Sequence, residues 1–380
     1  MGTRNGAFGK SALYATSVPW NQILSGPFVD VGPNSGASYP TATAAYNAGA
    51  TFVWMLPGTY TDTPTIPAGG ALLGPGAGAV VFQPTILTGA AIRVSGNASN
   101  HSLHYIIDGI TVVGTNASAG CYGILATDTI GLHLGERLII QNFVGAGSEG
   151  FRMTTSSGYC ENWKLEMIIQ SCTTGIHFVY NTGASFIRGW YTGSITTVAS
   201  GTAWMIDASI KIDESNIYGR FFPLANATCL NWNCTGAGLR FFPAMDVSSF
   251  TGCTGISIGS SGKFINFGGF GPTFDGTGWT ATITVASGGE WGLPPATIGV
   301  SASPFAYTLP IGVNEAYAST PTRIVIYGGT VSSISITRNG ASSPVTVGNA
   351  TNCSHDLLPG DTITVTYSSA PTMVRYPVAG

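Results

Sequence analysis

Six times between residues 123 and 256 a small residue precedes a large apolar one at the start of a short strand-like run: Gly123-Ile124, Gly150-Phe151, Gly175-Ile176, Ala203-Trp204, Cys229-Leu230 and Gly255-Ile256. The apolar members lie 27, 25, 28, 26 and 26 residues apart. An antiparallel sandwich built from the same short strands would show turn signals every ~8–12 residues. The longer, near-constant period favours a solenoid, in which each coil returns its strand above the previous one and variable corners absorb insertions. About eight coils are expected, giving a rod ~40 Å long at ~4.8 Å per step. Second strands are expected between the anchors, at residues 137–140, 165–169, 209–212 and 263–267. Cys172-Thr173-Thr174-Gly175-Ile176 and Cys253-Thr254-Gly255-Ile256 repeat almost verbatim, which predicts inward-facing cysteines acting as small hydrophobes.

Upstream, residues 51–56 form a short apolar run ended by Pro57-Gly58, and a second run at 63–67 leads into Ala68-Gly69-Gly70. Gly74, Gly76 and Gly78 then permit sharp corners where backbones pass closely. Residues 41–48 are Ala-rich and predict a two-turn helix covering the open end of the first coil. Met55-Leu56-Pro57-Gly58-Thr59-Tyr60 and Leu73-Gly74-Pro75-Gly76-Ala77-Gly78 resemble the opening coil of the pectate-lyase-like right-handed parallel β-helix family. The chain departs from that pattern where the family often carries an Asp-rich approach to the helix, because Gly36-Ala37-Ser38-Tyr39-Pro40 stands there instead.

The repeat fades near residue 280, and alternating strands appear at Thr322–Tyr327, 331–337 and 362–367, separated by Gly328-Gly329, Asn339-Gly340 and Pro359-Gly360-Asp361. Period-two alternation between such turns predicts an antiparallel β-sandwich. The segments beginning Ser303-Pro304-Phe305, Gly328-Gly329-Thr330 and Pro359-Gly360-Asp361 resemble a small β-domain recurrent at the C-termini of bacteriophage virion proteins. The expected organisation is therefore all-β: an N-terminal arm or attachment segment over 1–38, a right-handed parallel β-helix over 39–280, and a small antiparallel sandwich over 281–380.

Composition narrows the function. Charged residues make up 8% of the 380 and the net charge is -3, with the 14 Lys and Arg scattered singly; no basic stripe exists to neutralise phosphates, so nucleic acid is not an expected partner. No run of eighteen apolar residues occurs, so no membrane insertion by a helix is expected. Met1 to Trp20 carries Arg4 and Lys10 but no continuous apolar core of signal-peptide length. Seven cysteines at irregular spacing, with no CxxC pair, predict free thiols rather than a disulfide framework or zinc site. No cofactor and no metal are expected.

A β-helix that cleaves polysaccharide needs carboxylates grouped on one face. The Asp-Asp pair and Gly-His-Gly of polygalacturonases are missing. The best remaining cluster is Asp207, Lys211, Asp213 and Glu214, in which Asp207, Lys211 and Asp213 share strand parity; Glu161, Lys164 and Glu166 form a second group. Both groups read as solvated strand edges or corners that keep the rod soluble rather than as a catalytic site, and His177 reads as a satisfied histidine rather than a base. Arg220-Phe221-Phe222-Pro223 recurs as Arg240-Phe241-Phe242-Pro243 twenty residues later. Alternation places one Phe of each pair inside and the other outside, so Arg220, Phe221, Phe222, Arg240, Phe241 and Phe242 are candidates for an interface or glycan face, unless a loop hides both rings.

The resemblances imply a virion appendage, a phage-type fibre, spike or head-attached adhesin, assembled in the host cytoplasm as a homotrimer with other virion proteins and binding host cell-surface glycan. A mean hydropathy of +0.27 agrees with apolar surface covered by partners. The alternative is a tailspike depolymerase, a glycoside hydrolase or polysaccharide lyase acting through Asp207, Asp213 and Glu214.

Overall fold

The small-large pairs stack on one another. In the computed structural model, which describes residues 28–33, 36–96, 104–115, 118–155, 159–179, 185–208, 210–241, 243–247, 250–260, 262–266, 273–287, 289–292, 296–300, 302–309, 322–349 and 351–377, Ile124, Phe151, Ile176, Trp204, Leu230 and Ile256 are successive partners in parallel strands. The column extends to Ile92 below and Ile283 above. The residue before each anchor is small because it faces an inner corner. A Cβ on Gly123 would sit 2.5 Å from the carbonyl oxygen of Gly150 and 2.5 Å from Ile140; one on Gly175 would sit 2.5 Å from the oxygen of Ala203 and 2.6 Å from Ile195. Interiors packed this closely tolerate no added methyl without backbone movement.

Each coil contributes to three walls. The first stacks Phe28–Val31, Phe52–Met55, Ala71–Leu73, Tyr105–Asp108, Leu132–Leu134, Lys164–Leu165, Trp190–Tyr191 and Asn216–Ile217. The second runs from Gly58–Tyr60 through Val80–Phe82, Thr111–Val113, Ile139–Gln141, 168–170, 194–196, Arg220–Phe222 and Ala244–Asp246 to Thr273–Asp275. The third carries the anchors, in nine strands from Thr65–Ile66 to Trp279–Val285, and its eight steps span ~38 Å. In the later coils a short fourth run, including Tyr159–Glu161, Ser185–Ile187 and Lys211–Asp213, joins the third wall to the first. The expected second strands therefore do not form one series. Ile139–Gln141 and 168–170 lie on the second wall, whereas Lys211–Asp213 and Lys263–Asn266 belong to the short run. Corners of unequal length between the walls hide this difference from the sequence.

The helix spans Ala42–Asn47, with Thr41 accepting from the Ala44 amide at its N-cap, and its buried Ala42, Ala45 and Tyr46 join the solenoid core. Asp62 accepts from the Thr43 amide and hydroxyl at 2.8 and 2.7 Å, fixing the helix start to the first coil. The Leu-Pro-Gly-Thr-Tyr corner is held by Tyr60, whose hydroxyl contacts the carbonyl oxygens of Leu56 and Val31 and whose ring stacks on Phe82 at 5.4 Å. Further along, Trp163, Phe178, Phe186 and Trp204 fill the interior in stacked and edge-to-face contacts with centroids 4.6 to 6.4 Å apart. All seven cysteines are free; Cys172 and Cys253 are fully buried, and burial pushes the Cys172 thiol up to about 12.

Parallel pairing continues beyond the expected boundary at 280. The strand Trp279–Val285 still stacks on Cys253–Ile258, and Glu290–Gly292 on Lys263–Asn266. The change of direction comes where Glu290–Gly292 pairs antiparallel with Ala296–Ile298. At the other end, the first wall already includes Phe28–Val31, inside the expected arm. Beyond 292 two antiparallel sheets form. One contains Ala296–Ile298, Thr372–Pro377, Thr322–Tyr327 and Cys353–Leu357; the other Phe305–Thr308, Thr362–Ser369, Thr330–Thr337 and Val345–Gly348. Ile298, Ile324, Ile326, Leu357 and Met373 from the first share one core with Phe305, Tyr307, Ile334, Ile336, Ile363 and Val365 from the second, so the sheets pack as a sandwich.

Candidate binding face

Three successive coils alternate without interruption across the corner between the first and second walls. Lys164-Leu165-Glu166-Met167-Ile168-Ile169-Gln170, Trp190-Tyr191-Thr192-Gly193-Ser194-Ile195-Thr196 and Asn216-Ile217-Tyr218-Gly219-Arg220-Phe221-Phe222 are in register, 26 residues apart, and every second residue is buried. Strand periodicity then turns the others outward, on a continuous face of three rows. Glycine holds the corner: a Cβ on Gly193 would sit 2.1 Å from the oxygen of Met167, and one on Gly219 2.0 Å from the Tyr191 ring.

This face carries aromatic rings where a rod needs only polar groups. Trp190 is 41% exposed and its ring lies 5.2 Å from that of Tyr218 on the next coil, tilted by 39°. Below them Glu166 meets Lys164 Nζ at 2.9 Å and His133 Nε2 at 2.8 Å. Burial pushes the Glu166 carboxyl up, but the hydrogen bonds from His133 and Lys164 outweigh it and hold the group below its ordinary range. Beside Tyr218 stand exposed Arg220 and half-buried Phe222, while Phe221 between them is fully buried and stacks on Tyr191 at 6.0 Å.

The two Arg-Phe-Phe-Pro motifs do not stack on each other. Arg220–Phe222 lies on the second wall, but Arg240 and Phe241 pair through their backbones with Asn216 and Ile217 on the first. Twenty residues are fewer than one coil, so the second motif arrives one wall early. The side chains of Arg240 and Phe241, and all of Phe242, lie outside the described residues.

Nor do the expected carboxylates share a site. Asp207 follows the third-wall strand and accepts from His177, whereas Glu214 sits at a left-handed corner (φ 50°) and accepts from Arg188 Nε at 3.1 Å; Arg188 also binds Glu161. Asp213 pairs through its backbone with Ile187 and Ala237, and its side chain lies outside the described residues. Parity counted from 207 to 213 crosses a corner, and a corner resets it. The second expected group divides likewise, Glu161 joining Arg188 while Lys164 and Glu166 join His133.

What the sequence reading missed is a network on the third wall. His177 bridges Glu149 through Nδ1 at 2.8 Å and Asp207 through Nε2 at 2.9 Å, and Arg152 forks onto Glu149 while lying 4.3 Å over the Tyr122 ring. Burial alone pushes His177 down, but its hydrogen bonds to Asp207 and Glu149, with their charges, raise it to about 9. Burial likewise opposes ionisation of Glu149, yet Arg152 and His177 hold it below its ordinary range. At neutral pH Arg152 and His177 are cations and Glu149 is ionised, and His177 is the proton donor of the network. A signal was available: Arg152 and His177 each follow an anchor, Phe151 and Ile176, by one residue, which places them outward in the same column.

No family model matches the sequence, and no curated protein gives a significant match. Among solved structures, the chain is similar to the A-module of mannuronan C-5 epimerase AlgE4 from Azotobacter vinelandii, at 12% identity over 64% of this chain and 93% of that one, with a TM-score of 0.25. The enzymatically active domain of tailspike protein 4 from bacteriophage CBA120 is similar at 11% identity over 88% of this chain and 65% of that one, with a TM-score of 0.22. The tailspike protein gp49 of the Acinetobacter baumannii bacteriophage Fri1, a capsular polysaccharide depolymerase, is similar at 10% identity over 87% of this chain and 79% of that one, with a TM-score of 0.20. At such superpositions it is the chain's own strand register that establishes the parallel β-solenoid with its terminal antiparallel sandwich.

Proposed function

We propose that the protein is a virion appendage of the phage type, a fibre, spike or head-attached adhesin, which binds cell-surface glycan on the face around Trp190 and Tyr218 without cleaving it. The observation that carries the reading is exposed Trp190 packed against half-buried Tyr218 on a regular wall. Flat rings offer the apolar C–H faces of a pyranose a stacking surface, and the polar rows of Lys164, Glu166, Thr192, Ser194 and Asn216 around them suit its hydroxyls. The virion setting rests on the sequence resemblance of the C-terminal module, and a homotrimer, tested by light scattering coupled to size exclusion, is the assembly it implies. Retention of purified host polysaccharide tests the binding role: Trp190→Ala with Tyr218→Ala should weaken it about tenfold or more. Retention unchanged by that pair would overturn the reading.

A second reading, a depolymerase, is favoured by Asp207, whose carboxylate touches a histidine and whose side chain is 28% exposed. A glycosidase requires one carboxyl kept protonated to donate to the leaving oxygen. Glu149 is held ionised instead, so the donor in this network would have to be His177. Release of reducing ends or unsaturated sugar, abolished by Asp207→Asn, would promote this reading over the first.

A further inference from the structure

Arg220 differs from most of the arginines on the described wall surfaces. Arg137 pairs with Asp108, Arg152 with Glu149, and Arg188 with Glu161 and Glu214. Around Arg220 the outward neighbours are Ser194 on the coil before, Ala244 on the coil after, and Tyr218 and Phe222 along its own strand; none is a carboxylate. Asp246, the diagonal neighbour beside Phe222 on the following coil, already has an interaction of its own. Arg93 is also without a carboxylate partner, but it stands on the third wall between Thr65 and Leu125, away from the aromatic rows.

The neighbouring charges of the face are already spent on each other. Glu166 is satisfied by Lys164 and His133, so the lower rows present no open carboxylate and no free ammonium. Among the described side chains of the face, what remains is the guanidinium of Arg220, which stands along its strand between Tyr218 and Phe222. A planar fork of donors in that position matches a carboxylate bidentately, and the flanking rings partly exclude water and strengthen such a contact.

We infer that the face takes an acidic glycan, one whose sugars carry carboxylates such as hexuronate or sialate, with Arg220 meeting the carboxylate while Trp190 and Tyr218 stack on a sugar ring. This rests on the glycan-binding reading of the same face. The specificity follows from the geometry: a neutral glycan gains the stacking but leaves Arg220 without an anion.

The full chain is titrated with polygalacturonate, hyaluronate and polysialate, each intact and after reduction of its carboxyls to alcohols, and binding is followed by calorimetry at low and high salt. At least one intact polymer should bind, its carboxyl-reduced form about tenfold more weakly, and binding should fall as salt rises. Arg220→Gln should reproduce the loss seen on carboxyl reduction, and Arg220→Lys should recover part of it, with the thermal melt of both variants unchanged because the side chain is exposed. Equal binding of intact and reduced polymers, or wild-type binding by Arg220→Gln, would overturn the acidic assignment and leave the face standing provided Trp190→Ala still removes binding. Binding of none of the polymers in either form, or binding that survives Trp190→Ala, would overturn the face itself.

Discussion

The outward side of the third wall and the corner face of the first and second walls are built by the same coil period and treat their polar groups in opposite ways. On the third wall Glu149, Arg152, His177 and Asp207 neutralise one another across three coils. On the corner face Trp190 and Arg220 are left open to solvent beside half-buried Tyr218. A network satisfied from within stabilises the rod but offers a ligand little, since any new contact must displace one already made. An exposed ring and an exposed guanidinium on a regular wall offer a ligand more. The contrast teaches that charge density on a solenoid is a poor guide to its site, and that the open side chain is the better one.

The largest expected effect compares two tryptophans on neighbouring walls. Trp204 is fully buried among Phe178, Trp163 and Tyr191, and Trp204→Ala should cost about 3–5 kcal/mol. Trp190→Ala removes a ring that is 41% exposed and should cost roughly 1 kcal/mol or less while weakening glycan retention. Chemical denaturation of both variants checks this, and similar losses of stability would erase the distinction between inside and outside.

The second comparison is made by pH. His177 is raised to about 9 in the folded chain from an ordinary 6.5. A raised folded value means that its contribution, on the order of 3 kcal/mol, is fully present below 6.5 and lost as the pH climbs through 9. Glu149, held below its ordinary range, acts with the opposite sign and loses its contribution as the pH falls through the carboxylate range. Denaturation midpoints measured from pH 6 to about 10 should therefore decline in the native chain and flatten in His177→Gln. A flat native profile would mean that the third-wall network holds nothing together.

The smallest expected effect concerns the thiols. With all seven cysteines free and six of them buried, reductant should leave the melting temperature unchanged, and thiol counting under denaturing conditions should find all seven. Two missing thiols would contradict the register that places Cys172 and Cys253 inside.

Much of the solenoid was legible because its inward column obeys a rule that sequence displays. Ile124, Phe151, Ile176, Trp204, Leu230 and Ile256 each follow a small residue, and packing at an inner corner enforces that pairing. The corners were not legible, since they vary in length without regular polarity. This is why Asp207 and Glu214 looked like neighbours when the first ends the third wall and the second caps the run after it. The two Arg-Phe-Phe-Pro motifs fall on different walls because twenty residues are fewer than one coil. The proposed binding face was half legible: Arg220 and Phe222 stood out as a motif, but Trp190 and Tyr218 are single residues whose place on it comes from the register Lys164, Trp190, Asn216. His177 was passed over as a satisfied histidine, and satisfied it is, by two carboxylates from different coils.

The central claim, binding without cleavage at the corner face, is tested most directly by incubating the native chain, the Trp190→Ala/Tyr218→Ala variant and Asp207→Asn with purified host polysaccharide, measuring both retention and polymer length. The account predicts that the native chain and Asp207→Asn retain the polymer at full length and that the double aromatic variant loses retention. Shortening by the native chain that disappears in Asp207→Asn, with retention unaffected by the aromatic changes, would contradict it and move the function to the third wall.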